Sequence, residues 1–268
     1  MRMATAATAE PAWFVSSVEK AFQILRAFEA HERSLSLIEI AELTGLDKSS
    51  VQRFTYTLAA LGYLHKDARA RRYTISPKVM SLGMIYLRTD PLVVRARHQL
   101  YELNKVLDAT VNMTVLDGTE VIYVVRYPGR RVVTVDVVLG MRRPAFCTAS
   151  GRAILSTMTD DAAMAILDRS RLVAYTAHTR TTPEAVMEEL RRARMQGFAL
   201  TEQETSIGDI SIAAPVRKAD GSSTAAINLS VSTADWKGAD VALKLGPVVV
   251  DAARAVSGRS EVRPLQTA

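Results

Sequence analysis

Lys48, Ser49, Ser50, Gln52, Arg53, Thr55 and Tyr56 lie close together and include donors, hydroxyls and an aromatic ring, with no carboxylate among them. Spread over one face of a helix, such groups donate to phosphate oxygens and to base edges. Gln52 and Arg53 have the two-pronged donor geometry suited to adenine and guanine edges. A second cationic set follows, with Lys66, Arg69, Arg71 and Arg72 set against a lone acid, Asp67. Residues 48–78 hold seven Lys or Arg and one Asp, a balance of +6 that equals the net charge of the whole chain. The positive charge is therefore local, which is the electrostatic footprint expected for nucleic acid. The same residues also fit an ordinary helical hairpin with a solvated face.

A different chemistry is grouped later in the chain. FCTASGRA, residues 146–153, sets small residues and backbone amides at a helix start, where the dipole and free N–H groups favour an anion. A capped helix that needs no ligand fits it as well. TEQETSIGDISIA, residues 201–213, carries Glu202, Glu204 and Asp209 next to a strand, as an acidic surface loop also would. Asn228 and Ser230 share one face of an otherwise apolar strand, so they meet either water or a wet pocket.

Catalytic and metal chemistry find little support. His31, His65, His98 and His178 are isolated, and the single cysteine, Cys147, has no His or Cys at ligand spacing. No metal site, no cofactor and no phosphate-cradling glycine motif is expected. Cys147 with a distant histidine is the one nucleophile pair available, and a core or pocket thiol explains it better. Ser150-Gly151 lacks the glycine two residues earlier that a nucleophile elbow requires.

The elements that must position these groups are legible from period and punctuation. Ser36 with Glu39 is a capping box, Leu37, Ile40, Ala41 and Leu43 supply a helical stripe, and Gly45 ends the helix. Asp47 caps the next helix, whose buried stripe is read as Val51, Phe54, Leu58 and Leu61. GYLHKDARARRYTI, residues 62–75, then forms two short strands around a basic turn. Helix, turn, helix and hairpin in that order suit a major groove with a flanking wing. Upstream, a helix over 16–31 is expected to bury Val18, Phe22, Leu25 and Phe28, with Trp13 and Phe14 free to meet a partner. Downstream of Pro77, the broad stripe Val79, Met80, Leu82, Met84, Ile85 and Leu87 needs cover from another helix or a second copy of the chain.

Asp90-Pro91 opens a helix to about residue 108, and from 110 the pattern changes to strands. Residues 111–127 read as strand, Asp117-Gly118 turn, strand, and RRVVTVDVV, residues 130–138, is expected to pair beside them. Residues 140–144 read as a connection. Helices are expected from about Ser150, over 160–169, over 183–195 after Thr182, and over 237–257. Strands are expected over 198–202, 210–216 and 225–231, with a turn at Asp220-Gly221. This predicts an α+β domain, with helices on one antiparallel sheet of five or six strands and room for a small molecule.

At 268 residues, 48% hydrophobic and 23% charged, the chain fits a globular protein of about two domains. No apolar run approaches the roughly 20 residues of a membrane span. The N-terminus lacks a targeting core, and one cysteine fits a cytoplasmic location.

The chain resembles the isocitrate lyase regulator (IclR) family of bacterial transcription factors. The residues that carry the resemblance are SSVEKAFQILRAF, LIEIAELTGLDKSSVQRFTYTLAALGYL, RRYTISPKVMSLGMIYL, FCTASGRAIL, HTRTTPEAVMEELRRARMQGFALTEQE and IGDISIAAPV, in order over about 14–256. The resemblance implies a winged helix-turn-helix at 14–76, a linker helix at 77–90 and a GAF-like effector-binding domain at 91–258. It implies double-stranded operator DNA, a small-molecule effector such as an organic or aromatic acid, and a homodimer or dimer of dimers. Ser36, Lys48, Ser49, Ser50, Gln52, Arg53, Thr55, Tyr56, Arg69, Arg71 and Arg72 are the expected DNA-contacting residues. Carried over residue by residue, the resemblance nominates Cys147, Thr148, Ala149, Ser150, Glu204, Asp209, Asn228 and Ser230 for the effector. Asn228 departs from a commoner serine, and RFTYTL from a commoner RLLxTL. Two other functions compete: an oligomeric DNA-binder without an effector, and a small hydrolase using Cys147.

Overall fold

A computed structural model describes residues 13–29, 34–107, 109–129 and 137–257. The chain folds as two compact units, residues 1–85 and 86–268. In the first unit the described elements are α1 (Ser16–Arg26), β1 (Leu35–Ser36), α2 (Leu37–Thr44), α3 (Lys48–Ala60), β2 (Leu64–Asp67) and β3 (Arg72–Ile75). A 3-10 turn, Pro77–Val79, leads into α4 (Met80–Thr89).

The corner between α2 and α3 is fixed by local chemistry. Ser36 Oγ accepts from Glu39 N at 3.3 Å, and Ser36 N donates to Glu39 Oε2 at 2.7 Å, closing the expected capping box. Gly45 ends α2 with φ of 70°, where a glycine carries no side-chain penalty. Asp47 Oδ1 accepts from Ser50 N at 2.9 Å and starts α3. Ile24, Leu35, Ile40, Val51, Leu58, Leu64 and Tyr73 form the core. The structure corrects the expected stripe of α3. Thr55 takes a core position in place of Leu61, which is exposed at the helix end. Thr55 can do so because its hydroxyl donates to Val51 O at 2.7 Å and leaves no polar atom unpaired. Two residues of β1 also pair with β3, a strand too short to show a period.

Helix α1 also differs from expectation. It ends at Arg26 and buries Ile24, flanked by Leu25 and Phe28, while Val18 and Phe22 are exposed. At about 100° per residue, the face centred on Ile24 and Phe28 lies roughly a third of a turn from Val18 and Phe22. His31 lies outside the described residues.

The second unit begins within α4 and contains α5 (Pro91–Val106), β4 (Thr110–Asp117), β5 (Glu120–Tyr127), β6 (Arg142–Pro144), α6 (Ala149–Leu155) and α7 (Asp160–Arg169). It continues through α8 (Pro183–Gln196), β7 (Ala199–Glu202), β8 (Asp209–Arg217), β9 (Ser223–Ser232) and α9 (Gly238–Ser257). Its described strands form one antiparallel sheet of order β6-β5-β4-β9-β8-β7. Asp117 pairs with Glu120, so the hairpin turn is Gly118-Thr119, one residue later than expected. The segment 142–144, expected as a connection, is the edge strand β6 on β5. Most of the strand expected over 130–138 lies outside the described residues.

Strand alternation divides the sheet into two faces. Val111, Met113, Ile210, Ile212, Ile227 and Leu229 pack against α5 and α9. The opposite face meets α6 and, beyond it, α8. Cross-strand registers order that second face into rows. One runs Ala199, Ala213, Asn228, Asn112, Arg126, and the next runs Thr201, Ser211, Ser230, Thr110. Alanines give α6 a close seat, and the polar ends of the rows are left to line a cavity.

Candidate functional site

The first candidate surface is the exposed side of α3 and the β2–β3 wing. Lys48, Ser49, Gln52, Arg53 and Tyr56 are exposed on α3, as are Lys66, Arg69 and Arg71 on the wing. Ser49, Gln52, Arg53, Tyr56 and Lys66 line an open cleft between helix and wing. Asp67 shapes the wing tip, because its Oδ1 accepts from Arg69 N at 2.8 Å and Ala70 N at 2.9 Å. Arg71 sits there at φ of 53°, an uncommon conformation for a residue with a side chain.

Other expected contacts are committed inside the fold. Thr55 is buried and faces the core. The Arg72 guanidinium donates to Ser34 Oγ from Nε at 2.9 Å and pairs with Glu39 Oε2 from Nη2 at 2.9 Å. It therefore straps β3 to the start of α2, and its donors face protein oxygens in place of phosphate. Ser36 Oγ is the α2 cap, and Ser50 Oγ donates to Asp47 Oδ2 at 2.6 Å.

The second candidate site is a small, partly open cavity over the polar rows of the sheet. Thr110, Asn112, Thr201, Ser211, Asn228 and Ser230 come from those rows, and Thr148, Ala149 and Ser150 from the start of α6. Tyr123, Arg126, Arg143, Thr205 and Asp209 complete the polar lining. Thr148 seats the helix start, donating to Pro144 O at 3.0 Å and accepting from Gly151 N at 3.2 Å. A Cβ on Gly151 would lie 2.2 Å from Ala145 O, so only glycine permits this approach.

Hydrogen bonds organise the cavity wall. Asp209 accepts from Ser211 Oγ at 2.8 Å through Oδ2 and from Ser230 Oγ through Oδ1. Burial pushes the Asp209 carboxyl above its ordinary range, and the two hydroxyls partly offset this. Asn112 Nδ2 donates to Asn228 Oδ1 at 2.8 Å, and Arg126 Nη1 donates to Asn112 Oδ1 at 3.0 Å. Burial also raises the Tyr123 phenol and lowers Arg126.

The structure thus brings Thr148, Ala149, Ser150, Asp209, Asn228 and Ser230 together and leaves two nominated residues out. Cys147 points into the apolar cluster under α6, where burial pushes its thiol up to about 12. A thiol held protonated at neutral pH is no nucleophile, which removes the basis for a hydrolase. Glu204 is fully buried and belongs to an ion-pair network. Arg152 grips it with Nη1–Oε1 at 2.6 Å and Nη2–Oε2 at 2.7 Å, and Arg180 Nη1 reaches Oε1 at 2.6 Å. A buried carboxylate requires such partners, and they take it away from any ligand.

Sequence reasoning missed Arg126, Arg143, Tyr123, Thr110, Asn112, Thr201, Thr205 and Ser211 as lining residues. The available signal was register: Arg126, Asn112 and Asn228 fall in one row only once the strands are paired. Among the described residues, no group of His, Cys, Asp or Glu could hold a metal ion. No described helix is long and apolar enough to cross a membrane.

A winged helix-turn-helix joined to an α+β unit with a polar cavity defines a ligand-responsive DNA-binding regulator. Residues 17–68 match the IclR helix-turn-helix domain, and residues 84–258 match the bacterial transcriptional regulator IclR C-terminal domain. The chain belongs to the IclR family of transcriptional regulators. It is 32% identical over 242 residues to the Pca regulon regulatory protein of Pseudomonas putida, covering 90% of this chain and 82% of that one. An IclR transcriptional regulator from Alicyclobacillus acidocaldarius superposes with a TM-score of 0.79 at 25% identity, covering 91% of this chain and 98% of that one. An IclR homolog from Microbacterium hydrocarbonoxydans, crystallised with 4-hydroxybenzoate, shares the fold with a TM-score of 0.73 at 18% identity, covering 90% and 97%.

Proposed function

We propose that this regulator reads operator DNA with Lys48, Ser49, Gln52, Arg53 and Tyr56 of α3 and holds phosphate with Lys66, Arg69 and Arg71 of the wing. We further propose that a small organic acid, bound in the cavity over the polar sheet rows, controls that binding. The observation that carries this reading is the cavity itself. It joins the N-terminus of α6 to two arginines and a hydroxyl-rich sheet face, a lining suited to an oxygen-rich anion. The 4-hydroxybenzoate bound to a fold neighbour is a small organic acid of this kind.

Residues 77–90 serve in this proposal as the linker between a DNA-binding domain at 14–76 and an effector domain at 91–258. Two or four copies assemble, so an acid that favours one arrangement of the copies changes operator affinity by its differential binding to the two states. A DNA-binder without an effector would leave the cavity without a purpose.

The test is footprinting on the DNA upstream of the regulator's own gene, with and without a panel of small carboxylates. Ser150 is buried and lines the cavity, so Ser150→Leu fills it. The variant should lose the response to acid and keep operator affinity within about threefold, the size of a surface-neutral change. A Ser150→Leu protein that still responds normally would place the effector elsewhere.

A further inference from the structure

The buried side of α3 sorts its exposed residues. Val51, Thr55 and Leu58 are buried. At about 100° per residue, the side opposite them runs Ser49, Arg53, Tyr56 and Ala60, one line along the helix axis. All four are exposed. Gln52 lies about a quarter turn to one side of that line. Thr57 commits its hydroxyl to the helix backbone, donating to Arg53 O at 3.0 Å. Tyr56 is 73% exposed and carries the one ring on the line. It opens with Arg53 and Lys66 onto the cleft between helix and wing, whose described lining carries no carboxylate. The line opposite the core is the part of a recognition helix that enters the major groove, so a ring there meets base edges.

We infer that Tyr56 is a specificity-determining residue for the operator, its ring packing on the methyl group of a thymine close beside a guanine taken by Arg53. This deepens the proposal for α3 and rests on it. Arg53 supplies the fork for guanine O6 and N7, and thymine is the base that presents an apolar group in the major groove. The body of a tyrosine ring is apolar and its hydroxyl sits at the far tip, so the methyl is the base-edge group that its ring covers best. Ser49 and Ala60 bracket the pair on the same line and are small, which leaves Arg53 and Tyr56 projecting furthest. Three helical residues rise about 4.5 Å and base pairs stack about 3.4 Å apart, so the two contacts fall about one or two base pairs from each other.

The test uses the full-length protein and duplexes carrying the operator footprinted upstream of its own gene. Each thymine of both half-sites is replaced in turn by deoxyuridine, which pairs alike and lacks only the methyl. At a single position the wild type should bind about fourfold more weakly per half-site, the worth of one buried carbon. Tyr56→Ala should bind the thymine and uracil duplexes at that position equally. Tyr56→Phe, which keeps the ring, should restore the difference, and Gln52→Ala should keep it. A guanine about one or two base pairs away, replaced by 7-deazaguanine to remove the N7 acceptor, should weaken the wild type and have no further effect in Arg53→Ala. Uracil tolerated at every position, or a methyl response that survives Tyr56→Ala, would overturn the inference and leave α3 as the reading helix. Wild-type protein that binds the footprinted operator no more tightly than a random duplex would remove both readings.

Discussion

Glu204 and Arg152 show how a residue's role depends on what surrounds it. The acidic run around Glu204 was visible in the sequence, and its nearness to the cavity wall followed from Asp209 five residues on. Its commitment to Arg152 and Arg180 was not visible, because those partners lie 52 and 24 residues away. Arg152 Nε also donates to Phe146 O at 2.7 Å, and Thr179 Oγ1 donates to Glu204 O at 2.6 Å. Glu204 therefore ties the α6 start to the loop that carries Thr205 and Asp209. Glu204→Gln leaves Arg152 buried without a counter-ion, which should cost about 3–5 kcal/mol. Urea unfolding should show the loss in the midpoint, with the slope unchanged. A change below about 1 kcal/mol, the surface-pair range, would show that the network is dispensable. Asn228 and Ser230 stood out as polar residues on an apolar strand, and Asp209 as part of the acidic run ahead of β8. Arg126 escaped because a strand arginine reads equally well as solvent-facing.

Helices with caps and strands bounded by turns were legible, because each carries its own punctuation. Ser36, Asp47, Asp90, Thr159 and Thr182 all cap the helices that follow them. The short elements β1 and β6 carry no such signal, and their pairing comes from tertiary context. At this scale the wing and the recognition helix should behave differently. Arg53→Ala should weaken operator binding by about 1–3 kcal/mol and relax preference at one base pair. Arg71→Ala should weaken all sequences alike and reduce the salt slope by about 1. Arg72→Ala should lower the stability of the winged unit instead, since its guanidinium holds Ser34 and Glu39. Binding isotherms on specific and random duplexes at several salt concentrations separate these outcomes. A loss of sequence preference in Arg71→Ala, with preference intact in Arg53→Ala, would reverse the assignment.

The cap also sets a pH response. The Ser36 backbone N–H, the Ser36 hydroxyl and Arg72 hold the Glu39 carboxyl at about 2, below its ordinary 4.5. A depressed carboxyl stabilises the fold wherever it is ionised. The contribution is fully present above about 4.5 and is lost as pH falls through about 2. Thermal melts of the wild type between those limits should decline more steeply than melts of Glu39→Gln. Parallel declines would remove Glu39 from the acid transition.

For the whole molecule, the sequence disclosed two domains in order and a positive charge confined to one of them. It did not disclose which apolar residues the chain leaves uncovered. Trp13 is 89% exposed, Phe22 53%, Met80 70% and Ile85 58%. Sequence periodicity assigned Phe22 to the core of the chain's own domain, yet α1 turns a different face inward. Water against apolar surface costs about 25 cal/mol per Å2, and monomers seldom leave several large side chains of one domain so exposed. A second copy covering α1 and α4 removes that cost, and its two-fold symmetry presents two recognition helices to half-sites one helical turn apart, about 34–36 Å. The full chain should therefore sediment as a dimer or larger at micromolar concentration without DNA. Phe22→Glu with Ile85→Glu should shift it toward monomer, because each buries a charge in the proposed interface. Operator affinity should then fall steeply while the cavity still binds its acid. Wild-type protein that sediments as a monomer, or a doubly charged variant that stays fully assembled, would show that these residues do not form the interface.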